Sequence, residues 1–274
     1  MSATLIALEG DLLTDAVARD PGVLERLRAG VDDGRLAAIV LGADTAPRAY
    51  DPVALATALT VHVPGIAVIA GSDGISDHPY NSARRLLSLD HVSGGRGGAL
   101  FSSGGASASH TAERITVIRK LWNSWPADTV LADHATGRYA TTDGIRAIGH
   151  VGDHFRVGGA LNSPSSRQGE PVSLWHVRDE DELEAARDLV DLVVTDNPAL
   201  AASWDASGRA GRVGGARTGG DAVLLHVATV RGLADALAAA SPAAHGGSLR
   251  DRLGLPQRHY DLSHAPLAFG ATHA

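Results

Sequence analysis

The sequence predicts a parallel α/β protein, on three observations. Short, almost purely apolar runs recur along the chain, among them Leu36 to Leu41 (LAAIVL), Ile66 to Ala70 (IAVIA) and Asp191 to Thr195 (DLVVT). Runs of this kind suit strands buried on both faces, as in all-parallel sheets. Between them lie segments whose apolar residues recur at helical spacing. The two kinds alternate, and alternation of buried strands with amphipathic helices is the pattern of β/α units feeding a parallel sheet.

Taken in order, Thr4 to Leu8 reads as the first strand and Val23 to Val31 (VLERLRAGV) as a helix. Leu36 to Leu41 is the second strand, ending in Gly42, Ala43 and Asp44, and Pro52 to Thr60 the next helix. Ile66 to Ala70 is the third strand, ending in Gly71, Ser72 and Asp73. The stretch that follows, Asp77 to Gly98, opens as a helix: Pro79 suits a first turn, where its missing N–H costs nothing. Ala83, Leu86, Leu87 and Leu89 form one apolar face, and Gly94 and Gly95 stop the helix by tolerating a left-handed backbone. Ala99 to Phe101 is a short strand that ends in Ser102 and Ser103. Ile115, Ile118, Leu121, Trp122 and Trp125 stripe the helix after it. Residues 126–170 are different: rich in Gly, Asp, His and Ser, weakly periodic, and unusually long for a connection inside a domain. Strands resume at Pro171 to His176, at Asp191 to Thr195 and at Asp221 to His226, with helices at Asp179 to Val190 and Arg231 to Ala240. About seven strands result. The tail, 256–274, lacks periodicity and reads as an arm.

Composition narrows the partners. A length of 274 residues and 44% hydrophobic content suit one large domain, taken here as 1–255 plus the arm. The net charge is −7 and no Lys/Arg run offers a basic patch, so nucleic acid is not an expected partner. Cysteine is absent, which excludes disulfides and thiolate chemistry. The first residues, MSATLIALEGDLL, lack a basic region and are broken by Glu9 and Asp11, unlike a signal peptide. No apolar run reaches membrane-spanning length. The expectation is a cytoplasmic protein.

Three strings carry a family resemblance. PY-x-x-ARR-x-x-x-LDH-x-SGGR runs from Pro79 to Arg96; a second segment runs from Leu121 to Val172, and SLRDRLGLP from Ser248 to Pro256. Together they resemble the bacterial luciferase-like flavin-dependent monooxygenases, in the branch of the nitrilotriacetate and dibenzothiophene-sulfone enzymes. The resemblance implies a TIM-barrel-like fold, with 126–170 as an excursion covering one end. The 25 residues between Thr195 and Asp221 are too few for the units such proteins carry there. An internal deletion follows, leaving fewer than eight complete β/α units. Such a loss would expose apolar strand edges, and a homodimer is expected to cover them.

In a parallel barrel the site lies at the C-terminal strand ends. Those ends carry Asp44, Ser72, Asp73, Ser102, Ser103, His176 and His226. Two kinds of chemistry are open to the carboxylates and imidazoles among them: proton transfer and metal ligation. Strand-end polar groups can also simply cap the barrel and meet water. Nothing in their local spacing, such as HxH or HExxH, supports a metal, and none is expected. The resemblance implies reduced FMN, supplied by a separate flavin reductase, and oxygenation of a small organic substrate. It would place Asp44, in GADT, beside the flavin ring, with Ser72, Ser102 and Ser103 around the cofactor. Where the branch uses an Asn against the flavin and an Arg-Tyr pair on its phosphate, this chain has Leu100, Ser107 and Ala108. Where the branch has a Gly/Ser-rich phosphate turn, this chain has Val177-Arg178-Asp179-Glu180-Asp181, whose acids would repel a dianion. The alternative reading is therefore a relative that has lost FMN, acting as a non-catalytic partner or binding protein, or as an enzyme with a rim rebuilt from Asp44, Asp73, His176 and His226. A Gly/Arg stretch, 208–220, offers either a new anion site or a linker over the deletion.

Overall fold

Eight parallel strands close into a barrel in a computed structural model that describes residues 3–42, 50–73, 75, 77–206, 212–215, 222–242 and 246–269. The first half alternates as the apolar runs predict. Strand β1 (Ala3–Leu8) leads to α1 (Gly10–Ala18) and α2 (Pro21–Asp32), β2 (Ala38–Leu41) to α3 (Pro52–His62), β3 (Val68–Asp73) to α4 (Pro79–Ser93), and β4 (Gly97–Ser102) to α5 (Ala108–Trp122). The excursion then forms two small antiparallel hairpins, β5 (Val130–Asp133) with β6 (Arg138–Ala140), and β7 (His150–Val151) with β8 (Arg156–Val157). The barrel resumes with β9 (Val172–His176) and α6 (Glu180–Ala186), β10 (Leu192–Thr195) and α7 (Pro198–Ala206), β11 (Arg212–Gly215), then β12 (Ala222–Val227) and α8 (Val230–Ala239). A last helix, α9 (Leu249–Leu253), precedes the arm.

Closure comes from β12 pairing with β1 and β11 bridging β10 to β12. Strand β11 lies inside the Gly/Arg stretch, so that stretch is more than a linker. Among the described residues no helix follows it, and only residues 216–221 separate it from β12. The barrel is thus complete in strands and incomplete in β/α units. Seven apolar runs were legible because they are apolar; Arg-Val-Gly-Gly is not, and β11 escapes a hydrophobicity reading. Closure also removes the free strand edges on which the dimer argument rested.

Helix starts follow local chemistry. Asp20 and Asp51 accept the amides of Val23 and Ala54, each ahead of a proline in the first turn. Ser107 caps α5 through the His110 amide, and Ser248 and Asp251 form a capping box on α9. Gly94 ends α4 with φ of 71°.

Alternation along the strands splits the core in two. Leu5, Val40, Ile69, Leu100, Leu174, Val194 and Leu224 belong to the inner cluster that fills the barrel. Ile6, Ile39, Val68, Phe101, Trp175 and Val193 belong to the outer one, under the helices. At the N-terminal end of the barrel α9 acts as a plug: Leu249 joins the inner cluster, and Arg250 pairs with Asp191 at 2.9 Å with both side chains almost wholly buried.

Parts of the resemblance-carrying strings, the end of the first around Asp90 to Gly97, residues 166–170 of the second and the third on α9, fall at this same base. Asp90, fully buried, accepts hydrogen bonds from the Gly97 amide (3.1 Å), Ser166 (2.5 Å) and Gln168 (2.6 Å). A Cβ on Gly97 would stand 2.7 Å from the Asp90 backbone, so only glycine fits there. Burial raises the Asp90 pKa, against the pull of those donors. Arg119 and Glu170 make a second buried pair at 2.7 Å.

Candidate active site at the barrel mouth

The C-terminal strand ends meet at one rim. Register sets Asp73 beside Ser102. Phe101 pairs with Trp175, which brings Ser102 level with His176, and His176 itself pairs with Val194 of β10. On the other side His226 pairs with Ala7, two residues before Glu9. Ser102, His176 and His226 continue the alternation of inner-cluster residues Leu100, Leu174 and Leu224, so all three top the barrel interior. Asp73 is described through its backbone alone, at the end of β3. Asp44 lies outside the described residues, as does the Gly/Arg stretch apart from residues 212–215.

Two histidines of the rim form a polar group with acids that the strand-end pattern had not named. His226 Nδ1 bonds the carboxylate of Glu9, the residue just past β1. Nε2 of His176 lies 3.9 Å from Asp196, just past β10. Burial pushes the His176 pKa down, Asp196 and Glu182 pull it up, and His226 and Arg178 push it down again; the net is below the ordinary value. The lowered value favours the neutral imidazole, in which one nitrogen can accept a proton. Both acids could have been found by the same strand-end logic that found the histidines.

Ser72 and Ser103 do not join this group. They occupy outward positions, one residue out of phase with the inner layer. Ser72 accepts a hydrogen bond from Arg114 of α5 at 3.0 Å, and Arg114 also reaches Ser82 at 2.7 Å. Ser103 is buried and donates to Glu182 at 2.6 Å. The three serines expected around one cofactor are thus divided between the mouth and the helix layer.

Glu182 decides the fit of a phosphorylated cofactor. Its carboxylate, 1% exposed, accepts the Arg178 amide (2.8 Å), the Arg178 guanidinium (2.5 and 3.0 Å) and Ser103. It fills, from within the chain, the donor set that an anion at the turn after β9 would need. Leu100 is packed into the barrel core, and the Ser107 hydroxyl is spent on capping α5. At the turn that the resemblance assigns to a phosphate, these residues do not fit FMN.

A second cluster flanks the rim. Glu113 of α5 accepts His150 Nε2 (3.0 Å) and the amides of Phe155 (2.9 Å) and His154 (3.0 Å), which fastens the second hairpin to α5. Burial opposes ionisation of Glu113, but His150 and the two amides outweigh it, lowering its pKa to about 2. His110 packs edge-on against His154 and tilted against Phe155, both with ring centroids at 4.9 Å. Burial, His154 and Arg114 together lower its pKa. Among the described residues no three His, Asp or Glu side chains group as metal ligands would, and no helix is long and apolar enough to cross a membrane.

Comparison with known proteins agrees with this architecture. The chain is 30% identical over 171 residues to nitrilotriacetate monooxygenase component A of Aminobacter aminovorans, covering 56% of this chain and 38% of that protein. It is 31% identical over 179 residues to dibenzothiophene-sulfone monooxygenase of Rhodococcus erythropolis, covering 59% and 38%. N-acetyl-S-(2-succino)cysteine monooxygenase of Bacillus subtilis is 29% identical over 140 residues, covering 45% and 32%. The chain thus spans under half the length of these curated relatives. Among solved structures, the long-chain alkane monooxygenase LadA superposes with a TM-score of 0.63 at 19% identity, over 78% of this chain and 64% of that one. EDTA monooxygenase from Chelativorans sp. BNC1 gives 0.60 at 21%, over 87% and 66%. These two show the shared fold. No protein-family model matches the chain.

Proposed function

We propose, from the premise that the chain is a shortened and divergent relative of the luciferase-like monooxygenases, that its barrel mouth oxygenates a small organic molecule with reduced flavin delivered by a separate reductase. One observation carries the reading: an apolar-filled parallel barrel, related in sequence to monooxygenases, ends in a mouth that gathers Ser102, His176 and His226. Glu9 would hold His226 through Nδ1 and leave Nε2 for the substrate, and neutral His176 would take a proton. The flavin would supply the oxygen chemistry when bound; these side chains would orient the substrate and move protons.

A second reading is favoured by Glu182. With its carboxylate in the anion seat, the chain would be a relative that has left FMN behind. It would then serve as a non-catalytic partner or binding protein, or as an enzyme of the rim built from Asp44, Asp73, His176 and His226. Fold alone does not choose between them.

Equilibrium titration with oxidised and reduced FMN, and with riboflavin in parallel, separates the two. Micromolar or tighter binding of reduced FMN supports the monooxygenase, with its phosphate seated elsewhere than the turn after β9. Absence of binding at high micromolar flavin supports the second reading. A homodimer, proposed for either, has no open strand edge to cover in the closed barrel and would have to use exposed apolar side chains such as Val61 and Val92; a monomer by light scattering at micromolar concentration would remove it.

A further inference from the structure

Outside the mouth the structure holds a cavity of about 610 Å³ between the first hairpin, residues 159–162 and the end of the arm. Its Trp125 side lies towards the base of the barrel, while the carbonyl of its Ala160 wall accepts the Tyr80 hydroxyl at 3.4 Å near the start of α4. Helix α5 runs 15 residues down from the rim, about 22 Å at 1.5 Å per residue, and Trp125 follows its lower end. None of its lining residues is one of the mouth residues Ser102, His176, His226, Glu9 or Asp196, so its lining is distinct from the site proposed above.

Its walls are fixed. The amide of Ala268 donates to Ile145 at 2.9 Å, that of Ala147 to Pro266 at 2.9 Å, and that of Arg146 to Ser124 at 2.8 Å. The Leu161 amide reaches the Ser124 hydroxyl at 2.9 Å. Ile145 and Leu161 are buried beneath the space. Trp125 spends its indole N–H on Thr129 (2.8 Å) and stands edge-on to Tyr139 at 90°. Its ring therefore meets the cavity as apolar surface, and Phe269 stands at the border, half exposed. Four alanines and Gly159 line the remaining space, so the room exists because side chains there are small. A Cβ on Gly159 would meet nothing within 4 Å. Among the described residues no acidic, basic or histidine side chain lines the cavity; the polar groups are the hydroxyls of Tyr139, Thr141 and Thr142 and the Asn162 amide.

These properties select a ligand class. The volume lies in the range of small-molecule sites, roughly 300–1,000 Å³, which are apolar with a few orienting polar groups. With no lining charge to pair it, an ionised ligand would be desolvated without compensation. We propose that this cavity binds an uncharged aromatic or alicyclic small molecule bearing one or two hydrogen-bonding groups, flat enough to lie against Trp125.

The test is titration of the full chain with 2-naphthol, read by calorimetry and by tryptophan fluorescence. Trp122, Trp175 and Trp204 are essentially buried, so Trp125 is the accessible reporter. The expected result is one-to-one binding at mid-micromolar or tighter, with a fluorescence change that Trp125→Phe abolishes while heat of binding remains. Charged 2-naphthoate should bind at least tenfold more weakly. Ala147→Leu and Ala160→Leu should each weaken 2-naphthol at least tenfold, and His176→Gln should leave it unchanged. Two variants guard against one that fails to fold. The proposal is overturned by absence of heat up to millimolar probe, or by binding that His176→Gln abolishes and the leucine variants leave intact. It is also overturned if sedimentation shows a dimer that Ala160→Leu dissociates with no probe binding, which would make the cavity a contact between two copies.

Discussion

The two ends of the barrel are built on opposite principles. The base is ionic and closed: Arg250 with Asp191, Arg119 with Glu170, and Asp90 under three donors, all buried. The mouth is looser: His226 and Glu9 meet in partial exposure, and His176 stands 3.9 Å from an exposed Asp196. A buried pair that loses one partner leaves an uncompensated charge, whereas a half-exposed one leaves a group that water can solvate. Substitutions at the base should therefore cost folding, and substitutions at the mouth should cost chemistry.

The largest effect expected is at Arg250. It holds Asp191 through two nitrogens and the carbonyls of Glu170 and Pro256. Arg250→Ala leaves the buried Asp191 carboxylate with only Arg258 at 3.4 Å and the Ser173 donors, and should cost about 3 kcal/mol, read as a fall in the urea midpoint. Arg250→Lys keeps the charge but loses the fork and should fall between. A shift under about 1 kcal/mol for Arg250→Ala would collapse the distinction between the two ends.

That asymmetry also explains what could be read from the sequence. LDH-x-SGGR and SLRDRLGLP are legible because the base demands particular residues: a glycine against Asp90, an arginine with four acceptors. Those strings carry the resemblance yet sit at the end of the barrel away from the strand C-termini. At the mouth, single polar residues end apolar runs, and strand-end logic found His176 and His226 but could not phase Ser72 and Ser103 against Ser102. In sequence Glu182 reads only as one residue of the helix Asp179 to Val190; its burial against Ser103, 79 positions away, is a tertiary fact. Strand β11 carries almost no apolar signal, being built from arginine, one valine and glycines.

Between the extremes lies the clasp of Glu113. Its pKa falls from 4.5 to about 2 on folding, so the fold binds fewer protons than the unfolded chain between those values. Its contribution is fully present above about pH 4.5 and is lost as pH falls towards 2. His150, His154 and His110 are the cations that can face it, with Lys120 on His150. Glu113→Gln should flatten the acid limb of stability against pH and raise amide exchange in 150–157 more than in the barrel strands. An unchanged acid limb would assign acid sensitivity to the base instead.

Glu182→Gln should cost less, about 1–2 kcal/mol, because Arg178 is half exposed and water can replace its partner. The informative readout is the ratio of FMN to riboflavin affinity. If the carboxylate is what excludes a phosphate, neutralising it should raise that ratio several-fold. An unchanged ratio would mean the turn after β9 has no bearing on flavin choice.

The smallest effect on stability, and the sharpest test of the mouth, belongs to His176. Burial lowers its pKa, so its folded form resists protonation relative to the unfolded chain. The sign is that of a depressed histidine: its contribution is present above the ordinary value near 6.5 and is lost as pH falls through it towards the lowered one. His176→Gln should change stability at pH 8 by under about 0.5 kcal/mol, since no close partner is lost, and should weaken the slope below pH 6.5. The groups that set the shift are Asp196, Glu182, His226 and Arg178, so Glu9→Gln, which frees His226, should move the His176 titration followed by NMR while leaving the base untouched. If His176 titrates at its ordinary value in both proteins, the two imidazoles do not form one electrostatic unit, and the mouth reduces to strand ends that meet water.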